Sequence, residues 1–191
     1  MSEQIPSTEL SGYYAWTHTL QGVYYGPGCV SMALPKLLDT FGASKAMVVT
    51  GNSLYTKVCQ TKCSLHRSDF FLFLPFPTTQ TNVVKKVEGI LREQNRYATT
   101  FHNIGEHSPI SEIRAGVDTF KQSGADIIVS VGGGSPTDSS KAIIYFLHEQ
   151  LGGDFLRQIA IPTTLSAAEY TVQCLLTSFG RCTNLNFLSE E

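Results

Sequence analysis

The chain has 191 residues, 42% of them hydrophobic and 16% charged, with a formal net charge of −2. That suffices for one respectable core, at most one and a half domains, with the composition of a soluble globular protein. The charge gives no electrostatic case for nucleic acid or an anionic membrane, and no apolar run approaches the ~20 residues a membrane helix needs.

The first ten residues, MSEQIPSTEL, lack the basic start and apolar core of a secretory signal. Residues 1–16 read as a loosely held polar arm. Thr19 to Tyr25 has β character and runs into Gly26-Pro27-Gly28, a strand or hairpin followed by a turn. Cys29 to Phe41 places Val30, Leu34, Leu37, Leu38 and Phe41 at helical spacing, and Gly42 closes it. Lys45 to Thr50 (KAMVVT) reads as a buried strand ending in the turn Gly51-Asn52-Ser53.

The stretch from Val58 to Gln80 breaks the rhythm. FFLFLPFPTT is apolar, has neither helical nor strand period, and holds two of the prolines. Val58-Cys59 is encoded GTNTGY, the start of a typical intron. Phe, Leu and Pro codons are pyrimidine-rich, and a CAG codon at Gln80 would complete a splice acceptor. The expectation is retained intron sequence or a disordered insertion, with a buried loop or lid as the alternative. Removing it leaves an ordinary join between Lys57 and Thr81.

Helix and strand then alternate. Val83 to Gln94 is amphipathic and helical, and Tyr97 to Asn103 a strand. Glu112 to Gln122 is a helix with Ser111 as N-cap and Gly124 at its end. The β-branched run Ile127 to Val131 stops at Gly132-Gly133-Gly134-Ser135, followed by Pro136-Thr137-Asp138-Ser139-Ser140-Lys141 and a helical segment, Ala142 to Leu147. A further buried strand, Ile159 to Pro162, runs into Thr163 and Thr164. This alternation predicts an α/β fold, a Rossmann-like parallel sheet with helices on both faces.

Glycines after a strand let the backbone approach a ligand, and the N–H groups of the following helix favour phosphate. The competing reading is a glycine-rich turn with no ligand, and neither G-x-G-x-x-G nor G-x-x-x-x-G-K-[ST] is met. Asp138 reads as a helix cap or a ribose partner. Lys141 reads as a phosphate partner or a solvated helix residue. Thr163 and Thr164 lie where an open α/β sheet places its ligand, or serve only as β formers. Gly51, Asn52 and Ser53 fall near an adenosine ribose in such a sheet, or form a plain turn.

The five cysteines are an odd set with no C-x-x-C pair; Cys59 and Cys63 form a C-x-x-x-C without a Cys/His pair at metal spacing. A reducing, cytoplasmic compartment is the expectation. His18, His66, His102, His107 and His148 are scattered, and each is expected to be a surface or loop residue rather than a ligand.

Gly132–Lys141 (GGGSPTDSSK) and Ile161–Thr164 (IPTT), one βα unit apart and followed by Glu169 in an AAEY context, resemble the iron-containing alcohol dehydrogenase family. That family includes maleylacetate reductases and is related to glycerol dehydrogenases and dehydroquinate synthases. The resemblance implies an NAD(P)-dependent oxidoreductase interconverting an alcohol and a carbonyl by hydride transfer. NAD or NADP would be held by Gly51, Asn52, Ser53, Gly132, Gly133, Gly134, Ser135, Asp138, Lys141, Thr163 and Thr164. At Gly51, where members often carry an acid for the ribose, this chain has no carboxylate.

The resemblance is expected to cover a cofactor-binding domain, residues 1–171, with 58–80 and a divergent tail, 172–191, outside it. The family's helical domain, whose Asp and His residues hold a divalent metal (Fe or Zn), is not represented, so no metal ligand or catalytic residue is assigned. A weakly active or inactive oxidoreductase acting on a small alcohol or carbonyl is the first expectation, with association through an uncovered apolar face. A non-catalytic nucleotide-binding remnant or partner subunit is the alternative, and a non-redox relative of the dehydroquinate synthase kind comes third.

Overall fold

The computed structural model describes residues 11–15, 22–56, 83–105, 108–171, 173–178 and 181–186. The stretch 58–80 lies outside them. Two short strands, β1 (Gly12–Tyr14) and β2 (Val23–Tyr25), pair antiparallel and lead into helix α1 (Cys29–Thr40). The remaining elements run β3 (Ala46–Gly51), α2 (Asn52–Thr56), α3 (Val83–Glu93), β4 (Tyr97–Ile104), α4 (Ile110–Ser123), β5 (Ile127–Gly132), α5 (Gly134–Leu151) and β6 (Gln158–Pro162). A 3₁₀ turn at Ala168–Tyr170 and an antiparallel pair, β7 (Gln173–Ser178) and β8 (Arg181–Asn186), follow.

Four strands form one parallel sheet in the order β4-β3-β5-β6. Alternate side chains leave its two faces, as strand geometry requires. Ala46, Val48, Ile127, Val129 and Val131 pack with Leu34 and Leu38 of α1 and Val84, Val87 and Leu91 of α3. Met47, Val49, Phe101, Ile104 and Ile128 pack with Ile113, Val117 and Phe120 of α4 and Ile143 and Leu147 of α5. Every residue of β3 and β5 is buried, which is why both read as near-continuous apolar runs rather than alternating ones. Each fully buried Val, Leu or Ile contributes about 1.5–3 kcal/mol.

Polar contacts pin the rest. At the amino edge of the sheet, the Asp126 carboxylate accepts N–H bonds from Ser44 (2.7 Å) and Lys45 (3.0 Å), and Ser44 Oγ also donates to it. This ties the start of β3 to the start of β5. The outer strand β4 is covered by α3, where Thr100 Oγ1 donates to the buried Glu88 carboxylate at 2.6 Å and Arg92 lies over the Tyr97 ring.

Two local expectations are corrected. The cap of α4 is Pro109, not Ser111, and it contributes no side-chain hydrogen bond; Pro109 holds φ at −60° one residue ahead of the helix, which begins at Ile110. The second helix edge moved further. The helix expected from Ala142 begins at Gly134, so Ser135 to Lys141 lie inside α5. Pro136 is compatible with this because a first-turn residue needs no N–H, and Thr137 and Ser140 hydroxyls fold back onto the Gly133 and Pro136 carbonyls at 3.0 and 2.8 Å.

Candidate functional site

After β3 the chain crosses to β4 on one side, and β5 then takes the other side of β3. The strand order reverses there, and the crevice at the carboxyl ends of β3 and β5 is where an open α/β sheet binds its ligand. Gly51, Asn52 and Ser53 end β3 and begin α2; Gly132, Gly133, Gly134 and Ser135 end β5 and begin α5. Residues 81 apart in sequence thus share one crevice edge. The hydroxyl of Thr50, beside it, is fully buried and has no hydrogen-bond partner.

Each glycine has its own reason. Gly132 has φ 148°, and a Cβ there would lie 2.8 Å from Pro136 Cγ. Gly133 leaves room for the segment after β6: a Cβ would meet Thr164 Oγ1 at 2.9 Å and Cγ2 at 3.2 Å. At Gly134 a Cβ would make only ordinary contact, 3.5 Å, with Ser166. Gly51 likewise has room, its nearest atom being the Ile104 carbonyl at 3.5 Å. Helix α5 has Gly133 as its N-cap residue and no side-chain cap hydrogen bond. An 18-residue helix therefore presents its first-turn amides and the positive end of its dipole to the crevice without a capping oxygen.

The two walls are tethered. Ser108, buried and at φ 49°, donates its hydroxyl to the Ser135 carbonyl at 3.0 Å. Across the crevice, the Thr163 N–H donates to the Gly132 carbonyl at 2.8 Å, which seats Thr163 and Thr164 against the glycine turn. Both threonines are exposed.

Asp138 and Lys141 lie one turn further along α5. Asp138 does not cap the helix, whose start has no side-chain cap. Lys141 is not a solvated helix residue: its side chain is only 12% exposed, and its ammonium donates to Asp138 Oδ1 (3.1 Å), the Ala168 carbonyl (2.6 Å) and Thr171 Oγ1 (3.1 Å).

Of the histidines, His102 is not a loop residue. It sits half-buried in β4, stacked on Tyr55 with ring centroids 4.2 Å apart. His148, in the last turn of α5, stacks on Phe155 at 3.9 Å. His18, His66 and His107 lie outside the described residues. Among the described residues no three His, Cys, Asp or Glu side chains come together to hold a metal ion, so these residues do not fit one, and no helix is long and apolar enough to cross a membrane.

The iron-containing alcohol dehydrogenase family matches residues 21–190. The chain belongs to that family. The matched span runs through 58–80 and into the tail, segments expected to stand outside the resemblance. A maleylacetate reductase of Rhizobium sp. (strain MTP-10005) is 35% identical over 74 residues, 39% of this chain and 19% of that protein. A 1,3-propanediol dehydrogenase of Klebsiella pneumoniae is 26% identical over 170 residues, covering 81% of this chain and 37% of its own length. The chain thus spans well under half the length of these relatives. Among solved structures, the sulfoacetaldehyde reductase of Bifidobacterium kashiwanohense in complex with NAD+ superposes with a TM-score of 0.61 at 18% identity, over 84% of this chain and 40% of that one. At that identity the likeness is one of fold. The Rossmann-like parallel sheet expected from the sequence is the one this family shares.

Proposed function

We propose that this chain binds a nicotinamide dinucleotide, NAD or NADP, in the crevice between β3 and β5, as part of an oxidoreductase that interconverts a small alcohol and a carbonyl. The observation that carries the reading is the uncapped start of α5 directly after Gly132 and Gly133, at the point where the strand order reverses. The first-turn amides of α5 take the pyrophosphate. Gly51, Asn52 and Ser53 border the adenosine ribose, and the Thr50 hydroxyl beside them is a buried group still wanting a partner. Thr163 and Thr164 border the nicotinamide half, and Asp138 lies on that side of α5.

When bound, the dinucleotide supplies the hydride acceptor or donor; the protein contributes position and exclusion of water. The NAD+ complex of the related reductase and the reductase and dehydrogenase names of the relatives support this reading. No step through a metal is derived, since the described residues do not fit one. For these 191 residues taken alone we propose cofactor binding with little turnover, because they span well under half the length of the relatives they match.

The test is a fluorescence titration of the purified chain with NADH and NADPH, then an assay with short alcohols, Fe²⁺ or Zn²⁺ and either oxidised cofactor. Saturable binding of one reduced cofactor, lost in Gly134→Val and retained in Gly134→Ala, is expected. Absence of binding to both cofactors in a folded sample refutes the site. Turnover near the ~10 s⁻¹ of ordinary enzymes refutes the inactivity.

A further inference from the structure

We infer that Lys141 is a positioning residue rather than a phosphate ligand: it fixes the strap Thr163–Ala167 against the glycine turn. The inference rests on the dinucleotide reading for its functional part. The strap has two anchors. Its start is the Thr163 N–H on the Gly132 carbonyl, 2.8 Å. Its end is the Lys141 ammonium, which reaches 27 residues along the chain to the Ala168 carbonyl at 2.6 Å and also takes Thr171 Oγ1 at 3.1 Å.

Between these anchors the strap is poorly packed. Residues 163–167 are all exposed, Leu165 completely so, and Ala167 holds a left-handed φ of 57°. Yet this is the segment whose Thr164 and Ser166 lie against Gly133 and Gly134. With little apolar burial of its own, its position depends on the bonds at its ends. The terminal bond is charge-assisted and 12% exposed at the lysine, where solvent screens little. Asp138, 15% exposed, balances the ammonium from within the same helix. The ammonium donates to the Ala168 carbonyl and Thr171 Oγ1 at the end of the strap as well as to Asp138, which points its charge at the strap.

The consequence is a split between the two halves of the cofactor. Removing the Lys141 charge loosens the wall that borders the nicotinamide half, while the start of α5, which would take the pyrophosphate, keeps its own tether to Ser108. Three samples are compared: the parent chain, Lys141→Met and Lys141→Arg. Amide exchange is followed on peptides covering 163–171, where Tyr170 and Thr171 N–H groups bond to Ala167 and Ala168 carbonyls. ADP, NADH and NADPH are then titrated.

In Lys141→Met, protection of these peptides and affinity for the reduced dinucleotide should each fall about tenfold, the loss of one hydrogen bond to a charged group. ADP affinity should stay within about twofold, and Lys141→Arg should recover most of the dinucleotide affinity. If ADP weakens as much as the dinucleotide, Lys141 is a phosphate ligand and the inference fails. Unchanged exchange in 163–171 overturns it as well. If the parent binds none of the three nucleotides, the dinucleotide reading falls instead, and the exchange data alone decide the anchor.

Discussion

Gly116 is where a gain and a loss of comparable size meet, and the structure decides between them. In a helix interior, replacing Gly by Ala ordinarily stabilises by about 0.8–1.0 kcal/mol. Gly116 lies in the middle of α4 and is buried against α5. A Cβ there would stand 2.5 Å from Ile143 Cδ1, 3.1 Å from Ile143 Cγ1 and 3.3 Å from Phe101 Cε1. Ile143 is fully buried and Phe101 nearly so, so the isoleucine tip has to shift within a packed core. Overpacking of this kind costs about 1–3 kcal/mol. The net expectation for Gly116→Ala is a loss of about 1 kcal/mol, or roughly 2–4 °C in Tm for a chain of this size. Urea unfolding followed by circular dichroism measures it. The control is Ile143→Val, which deletes the Cδ1 atom. By itself it should cost about 0.5–1.5 kcal/mol. Combined with Gly116→Ala, the pair should be less damaging than the sum of the two singles by at least about 0.5 kcal/mol, a coupling typical of touching residues. A stabilised Gly116→Ala, or strictly additive changes, would show that α4 and α5 are not in the close contact described.

Three further outcomes follow from polar groups. Thr100→Val keeps shape but leaves the buried Glu88 carboxylate without its 2.6 Å donor; a loss of about 1.5–3 kcal/mol is expected, with Thr100→Ser near the parent in the same unfolding assay. The Asp126 carboxyl is pushed up by partial burial, but bonds from Ser44 and Lys45 outweigh this and hold it below its ordinary value near 4. Its folded pKa being depressed, the stability it adds is fully present above about pH 4 and is lost as pH falls through the folded pKa; Asp126→Asn should flatten that acid limb, and an unchanged limb would exclude the linkage. The Tyr170 hydroxyl is held up to about 12, first by its hydrogen bond with Tyr14 (3.0 Å), then by burial and by the nearby Tyr14 and Glu169. A raised folded pKa means that stability falls as pH rises from about 10 to 12. Ultraviolet titration of Tyr14→Phe should return Tyr170 toward 10, and no shift would disprove the contact.

The parallel α/β architecture and its family were legible in the chain itself, because local chemistry carries them. Runs such as AMVVTG and IIVSVG can be buried on both faces only as central strands, and GGGS at a strand end with IPTT one unit later leaves few folds open. Element ends were less legible. The helix reads from Ala142 in the sequence, yet the segment from Gly134 is already helical: Pro136 sits in its first turn at no cost and Ser and Thr hydroxyls bond back onto their own helix. What a side chain faces was not legible at all. The sequence permitted Lys141 to be a phosphate partner or a solvated residue; only folding brings Ala168 within 2.6 Å of it. Likewise the sequence shows Gly133 only as a turn glycine, and the structure adds that Thr164 stands where a Cβ would go. Contacts across 27 to 31 residues depend on how β5, α5 and β6 pack, a matter of tertiary geometry that no local pattern encodes.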